Sequence, residues 1–432
     1  MNLLVLCPHF EPDVAPTGAV MTRIAHELIG RGHRLHIVTA LPWYQRHAIE
    51  PGWEGRLVRT ETTEWGRISR VNPFPTDKRN IPARAVAFGG FTALATAIGT
   101  VTPIHPDGVL AMSPPLTLGP AGAMVGRLRR VPVVFNIQDV FPDVAIELGL
   151  FTGTRAIAMA RWLERRSYRA SDAVTVLSED LADNVRTKIA RGLAPARAAR
   201  QRAKVRVIPN FVDTVHIAPS PPENDYRRQH GLTGRRVVMY AGNVGLSQSL
   251  DLVLGAARAL RESHPDVVFV INGGGAARPE LEREAANLPN LRFIDMAPIE
   301  ALPEVLAAAD VHLVPLRTGL ARSSVPSKMY SILAAGRPIL ASVDEGTEVA
   351  RTVEQAGAGL AVPPDDPDAF LAALLRLLDD DAARRRMGEA ARAFVVGWAS
   401  PAAVAGAYED LFAELIDRRR SARRGGATGS GR

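Results

Sequence analysis

Lys328 stands where a cation can do chemistry. It follows Ser323, Ser324 and Ser327 and opens a run in which Met329, Ile332 and Leu333 fall three and four apart, the spacing of one helix face. Ahead of it, Val311 to Pro315 is a short apolar run of the kind that forms a buried parallel strand. The polar loop between them carries Arg317, Thr318, Gly319 and Arg322. Gly336 and Pro338 stop the helix, and Pro338 to Ser342 returns as a strand. A strand, a loop and a helix N-terminus in that order aim unpaired N–H groups and a positive dipole end at one place, which suits a phosphate. Lys328 adds a full charge there. The same stretch also fits an ordinary βαβ unit with a surface lysine.

Two further turns belong to the same edge. Gly242 to Gly245, with Asn243 between, follows the apolar run Arg236–Tyr240, and Gly273 to Gly275 follows Val267–Asn272. Together with the Ser/Lys turn at 323–328 they point to a nucleoside diphosphate. In the first half, the run Val131–Ile137 delivers Gln138, Asp139, Phe141, Pro142 and Asp143 at its C-terminal end, the edge where open parallel sheets bind ligands. Asp139 and Asp143 are equally compatible with helix caps or turns.

The elements that must hold these residues alternate between strand and helix. Leu3–Leu6 reads as a strand, His9–Gly18 as a loop, and the chain from about Ala19 as a helix with Ile24, Leu28 and Ile29 on one face. Gly30–Gly32 ends it, and Leu35–Thr39 is the next strand. This order predicts a Rossmann-like layer. The first loop does not spell GxGxxG, so a dinucleotide cofactor is not expected, although Thr17 and Gly18 give a phosphate or sugar close access to the backbone. The strand phrase ASDAVTVLS at 170–178 is echoed by AADVHLVP at 308–315, which suggests two similarly built halves. Between them, the Pro-rich HIAPSPPEND reads as a linker.

At 432 residues the chain is too long for one compact core, so two domains are expected. The single cysteine, Cys7, excludes an internal disulfide and a Cys-based metal cluster, which fits a reducing, cytoplasmic compartment. No secretory signal is expected, because Leu3–Leu6 is short and lacks a basic region before it. The net charge of +7 is uneven: residues 1–212 hold 27 Lys+Arg against 17 Asp+Glu, a net of +10, leaving 25 against 28, a net of −3, for the rest. The basic half is expected to face an anion such as a membrane surface or a phosphorylated acceptor. Nucleic acid is not expected, since no reader motif or aromatic-interleaved basic patch occurs. Lys78, Arg79 and Arg84 precede an apolar segment, 85–104, that reads either as a buried core helix or as an interfacial helix touching a bilayer, and not as a spanning one.

The phrases GAVMTRIAHELIGRGHRLHIVT near the start, NIQDVFPD at 136–143, IPNFVD at 208–213, YAGNVGLSQSLD at 240–251, INGGGAARPELE at 271–282 and VPSKMYSILAAGRPI at 325–339 carry a resemblance. Over nearly its whole length the chain resembles GT-B glycosyltransferases of the retaining family 4, particularly bacterial exopolysaccharide enzymes similar to the colanic acid and fucosamine transferases. The resemblance implies two Rossmann-like α/β domains facing a cleft: 1–212 for the acceptor, 213–400 for the nucleotide-sugar donor, a helix 401–418 returning to the first domain, and a basic disordered tail, 419–432. It implies transfer of a sugar from a nucleotide diphosphate to a glycan or polyprenyl-linked acceptor in cell-surface polysaccharide synthesis, with retention; the basic first half is what leads us to expect a cytoplasmic protein peripheral on the inner face of the plasma membrane. No cofactor is implied, since the nucleotide sugar is a substrate, and no metal. Gly18, Gly242, Asn243, Gly245, Gly273, Gly274, Ser323, Ser324, Lys328 and Ser331 are the implied donor contacts, with Asp139, Gln138 and Lys328 in catalytic roles. The sequence departs from the family where two glutamates eight apart become Ser323 and Ser331, where a basic pair becomes Asn243 and Ser249, and where a histidine becomes Gln138. Two other readings stay open: a nucleotide-sugar epimerase of the same architecture, and a catalytically silent nucleotide-sugar-binding subunit.

Overall fold

The computed structural model describes residues 1–75, 81–143, 153–319 and 327–427. The chain divides into two compact units, residues 1–210 with the segment from Val404 onward, and Phe211–Ala403.

The first unit is built on eight strands, β1 (Asn2–Leu6), β2 (Arg34–Ala40), β3 (Val58–Thr63), β4 (Gly66–Val71), β5 (Gly108–Ser113), β6 (Val133–Ile137), β7 (Ala173–Val176) and β8 (Val205–Val207). Their order is β3-β4-β2-β1-β5-β6-β7-β8, parallel except for β3, which pairs antiparallel with β4. Leu3 to Leu6 and the whole of β5 are buried because helices cover both faces, which is why these strands read as continuous apolar runs rather than alternations. The β3–β4 hairpin was not anticipated, since β3 is half exposed and polar at every position but Val58.

The first helix spans Pro16–Gly30, starting earlier than Ala19 because proline's fixed φ suits the first helical turn, where its missing N–H is not needed. The Ile81–Thr100 helix buries Ala87, Phe91 and Ala95 in the core of the unit, while Val86 on its other side is 77% exposed. It is thus a core helix with one open face. Lys78 and Arg79 lie outside the described residues. Among the described residues no helix is long and apolar enough to cross a membrane.

The last helix, Pro401–Ala427, runs beyond the expected end at Arg418, into the stretch expected to be disordered. It enters the first unit through Tyr408, whose hydroxyl accepts from Asn136 Nδ2 at 2.7 Å, and through Phe412. A Cβ at Gly108 would fall 2.6 Å from the Phe412 ring, so glycine at the start of β5 makes room for this helix. Arg31 and Glu409 pair at 3.0 Å, and Arg419 and Asp172 at 2.8 Å.

The second unit carries six parallel strands, β9 (Arg236–Ala241), β10 (Val267–Asn272), β11 (Leu291–Ile294), β12 (Val311–Pro315), β13 (Ile339–Ser342) and β14 (Gly359–Val362), in the order β11-β10-β9-β12-β13-β14. β9 and β12 are neighbours at the centre, so the turns after β9 and β10 and the loop after β12 open on one edge.

Candidate active site

In the second unit the turns after β9 and β10 pack backbone on backbone. Gly242 N donates to Asn272 O at 2.9 Å, Val244 N to Gly274 O at 2.8 Å, and Gly273 N to Ile294 O at 2.8 Å. Gly273 and Gly275 adopt φ of +149° and +154°, and a Cβ would lie 2.0 Å from Gly242 O at the first and 2.2 Å from Val244 O at the second. These glycines are therefore required by each other. Gly245 N is likewise used, donating to Gln248 Oε1 at 2.9 Å. The N–H groups of Gly242, Gly245 and Gly273 are thus committed to the fold and are not the free donors expected. Those of Asn243 and Gly274 take part in no described hydrogen bond, and a Cβ at Gly274 would meet open space.

Lys328 lies in the first turn of the Ser327–Ala334 helix and reaches back to β9. Its Nζ donates to Tyr240 Oη at 2.8 Å and sits 4.0 Å from the ring centroid. Tyr240 is itself fully buried, and its hydroxyl donates a hydrogen bond to Asn243 O. Desolvation brings the Lys328 pKa from its ordinary 10.5 down to about 8. Gly242 has φ of +140°, and a side chain there would begin 3.4 Å from Lys328 Nζ, so the glycine keeps the path to the ammonium open. Among the described residues Tyr240 is the lysine's only hydrogen-bond partner, and an ammonium has three N–H donors. Ser331, one helical turn on, shares its face and is half-buried. Ser323, Ser324 and Arg322 lie outside the described residues.

Arg317 and Thr318, at the start of the loop after β12, are held away from ligand duty. Arg317 Nε donates to Leu246 O at 3.1 Å and its NH2 to Asp251 at 3.1 Å. Asp365 accepts from Thr318 N at 3.0 Å, from Thr318 Oγ1 at 2.9 Å and from the buried Ser249 hydroxyl. Ser249 is therefore a latch under the 242–249 turn rather than a substitute for a basic ligand contact.

In the first unit, the sheet edge separates residues that the sequence left equivalent. Asp143 is bound by Lys188 Nζ at 2.6 Å and Asn184 Nδ2 at 3.2 Å, and the same ammonium reaches Glu164 at 2.7 Å. Asp139 is exposed, and its carboxylate takes part in no described hydrogen bond. Partial desolvation of the carboxyl by its neighbours nevertheless raises its pKa above the ordinary value. Gln138 differs from expectation: its Nε2 donates to Asn136 Oδ1 at 2.8 Å and its Oε1 accepts from Asn210 at 2.9 Å, so both ends are engaged within the fold. It braces the end of β6 rather than presenting a free amide. Gly18 differs too, since a Cβ there would fall 2.8 Å from His9 Cβ; the space expected for a ligand is filled by His9.

His9 is the residue that sequence reasoning missed. It follows β1 on the same edge as Gln138 and Asp139, and its Nδ1 lies 2.6 Å from the buried Asp13 carboxylate. Trp43 stacks on the imidazole at 5.8 Å and Tyr44 meets it edge-on at 5.3 Å. A His and an Asp four apart in a Pro-rich loop carry no periodic signal, so only their approach in space reveals the pair. Among the described residues no cluster of three or more His, Cys, Asp or Glu could hold a metal ion.

Comparison with known proteins matches both units. Residues 17–211 match a family model described as a glycosyl transferase 4-like domain, and residues 235–380 match one described as glycosyl transferases group 1. WcaI of Escherichia coli (strain K12), described as a colanic acid biosynthesis glycosyl transferase, is 26% identical over 395 residues, covering 88% of this chain and 92% of its own length. The alpha-D-kanosaminyltransferase of Streptomyces kanamyceticus is 27% identical over 234 residues, covering 54% of this chain and 57% of its own. Among solved structures, sucrose-phosphate synthase from Thermosynechococcus elongatus superposes with a TM-score of 0.64 at 18% identity, over 97% of this chain and 100% of that one. Anabaena HepE in complex with UDP gives 0.61 at 14%, over 96% and 100%. At such identities the structures speak for the fold, and the two domain matches speak for the reaction class. The chain belongs to the family 4-like, group 1 glycosyltransferases and carries their GT-B fold.

Proposed function

We propose that this transferase moves a sugar from a nucleotide diphosphate donor, with retention at the anomeric carbon, to a glycan or polyprenyl-linked acceptor in cell-surface polysaccharide synthesis. The observation that carries the reading is Lys328, a desolvated cation beside the glycine turns at the strand-end edge of the second unit. As the bond from C1 to the diphosphate oxygen breaks, the electron pair leaves with the diphosphate, and fixed cations and dipoles are the best means of offsetting that charge. Lys328, with the N–H groups of Asn243 and Gly274, meets that need without a resident metal or cofactor. On the first unit, Asp139 orients an acceptor hydroxyl or takes up its proton as the new bond to C1 forms. A lipid-linked acceptor would bring the basic first half to the inner face of the plasma membrane.

The test is a panel of nucleotide sugars incubated with the purified protein, with and without polyprenyl-linked acceptors. Sugar transfer that requires an acceptor is the expected outcome. Release of free nucleotide and isomerised sugar without acceptor would indicate an epimerase, and nucleotide binding without turnover a silent subunit.

A further inference from the structure

The second unit carries another basic site, on the edge of its sheet away from the glycine turns. A cavity of about 770 Å³ lies between the segment bearing Pro219 and Pro222, the Gly336–Pro338 turn and one face of the Asp381–Trp398 helix. Asp310 and Pro338, which line it, immediately precede β12 and β13, so it sits where strands begin, whereas Gly242 and Gly273 sit where strands end. Its walls are tightly fitted: a Cβ at Gly388 would lie 2.2 Å from Gly336 O, and one at Gly336 would lie 3.1 Å from the Pro219 ring. The cavity volume is in the range of small-molecule sites.

Four arginines line it, and their charges are not balanced alike. Arg384 pairs with Asp381, and the Asp310 carboxylate is taken by Arg227 at 2.7 Å. Arg392 donates to the carbonyls of Ile217, Ala334 and Thr214, each at 2.8 Å, and has no carboxylate among its described partners. Arg337 donates to Ser220 O at 2.7 Å, while its Nε is buried without any partner. Arg385 is exposed and has no described partner. Arg337 shares the Asp310 charge with Arg227, and against Arg385 and Arg392 the lining offers one acid without a described partner, Glu389. Burial also depresses the Arg337 and Arg392 guanidinium pKa values, a sign that the fold holds these charges at a cost. An anion in the cavity would relieve that cost and satisfy the orphaned Nε. Pro219, Pro222, Pro338 and Val396 add an apolar wall that a compact ligand can lean on.

We propose that this cavity binds a small multivalent anion of the phosphate class, held by Arg337 and Arg385 and independent of the donor site. Calorimetric titration of the full chain with inorganic pyrophosphate tests it. Lys328→Ala is the background, because pyrophosphate can also occupy the donor edge. In that background one pyrophosphate should still bind. Adding Arg385→Gln should weaken it about 10-fold, as should Arg337→Met, each removing a charge-assisted bond. Arg385 is exposed, so its substitution reports on binding even if Arg337→Met disturbs folding. Absence of pyrophosphate binding in Lys328→Ala, or binding that ignores both arginine changes, overturns the proposal. Neither result bears on the sugar-transfer reading, which the donor and acceptor panel judges separately.

Discussion

The Lys328 ammonium lies 4.0 Å above the Tyr240 ring and donates to that residue's hydroxyl at 2.8 Å, joining the start of one helix to the end of β9. The ring supplies an electron-rich face to a cation that has little water left, and the hydroxyl fixes its direction. A ligand phosphate would therefore find the charge already placed.

Lys328→Ala should weaken nucleoside diphosphate binding by about 10-fold or more, the worth of a charge-assisted hydrogen bond. The melting temperature of the unliganded protein should barely change. Affinity in the wild type should fall as pH rises through about 8, where the ammonium loses its proton. The unliganded protein should follow the opposite trend: the unfolded chain keeps its proton up to about 10.5, so this lysine's contribution to stability should rise with pH between the two values. Calorimetry from pH 7 to 9.5 checks the binding limb, and a flat profile in the wild type would count against Lys328 as the contact.

The glycine turns give a stability prediction with an internal control. Gly273→Ala should cost roughly 2–4 kcal/mol, because the methyl group meets Gly242 O at 2.0 Å in a backbone conformation L-residues avoid. Gly274→Ala, one residue on, faces open space and should stay within about 0.5 kcal/mol of wild type. Denaturant melts of the two variants measure this directly, and equal midpoints would disprove the packing explanation.

Asp139 and Asp143 should part company on substitution. Asp139→Asn should lower turnover by about 10²-fold, the scale of acid–base participation. It should also leave stability at neutral pH equal or slightly raised. Its carboxyl is held above the ordinary pKa, so ionisation is a folding cost that grows as pH rises past the unfolded value. Asp143→Asn instead strips Lys188 of one of its two carboxylates and should lower the melting temperature. Turnover and melting data on both variants suffice; matching behaviour would mean that Asp139 has only a structural role.

Tyr408→Phe removes the hydroxyl that Asn136 and Thr175 share inside the first unit, at 2.7 and 3.3 Å. Loss of about 1–2 kcal/mol is expected, since the Asn136 amide nitrogen then keeps only its longer bond to Thr175. Equilibrium unfolding by urea is the measurement, and an unchanged midpoint would show that the last helix is held by its other contacts, Phe412 and the Arg31–Glu409 and Arg419–Asp172 pairs, without help from the hydroxyl.

Salt should control membrane contact. The +10 balance of residues 1–212 leads us to expect co-sedimentation with anionic liposomes at low ionic strength and its loss at high salt, at about 1 kcal/mol per basic residue near the surface. Recovery in the supernatant regardless of lipid would rule the contact out.

What the sequence by itself determined is local. Apolar runs, glycine and proline punctuation and the spacing of Met329, Ile332 and Leu333 located β12, the helix bearing Lys328, and the glycine turns at the ends of β9 and β10, because each depends on residues a few positions apart. The β3–β4 hairpin escaped because β3 is half exposed and polar and the buried β4, GRISRV, carries charged residues, so neither shows a strong apolar signal. Tertiary structure alone decided which polar groups remain available. Lys328 meets Tyr240 across 88 residues, and Gln138 is consumed by Asn136 and by Asn210, 72 residues away. His9 fills the space beside Gly18, and Lys188 claims Asp143 while leaving Asp139 open. Each outcome turns on desolvation and hydrogen bonding between segments distant in sequence, and those are settled only when the strands take their places in the sheet.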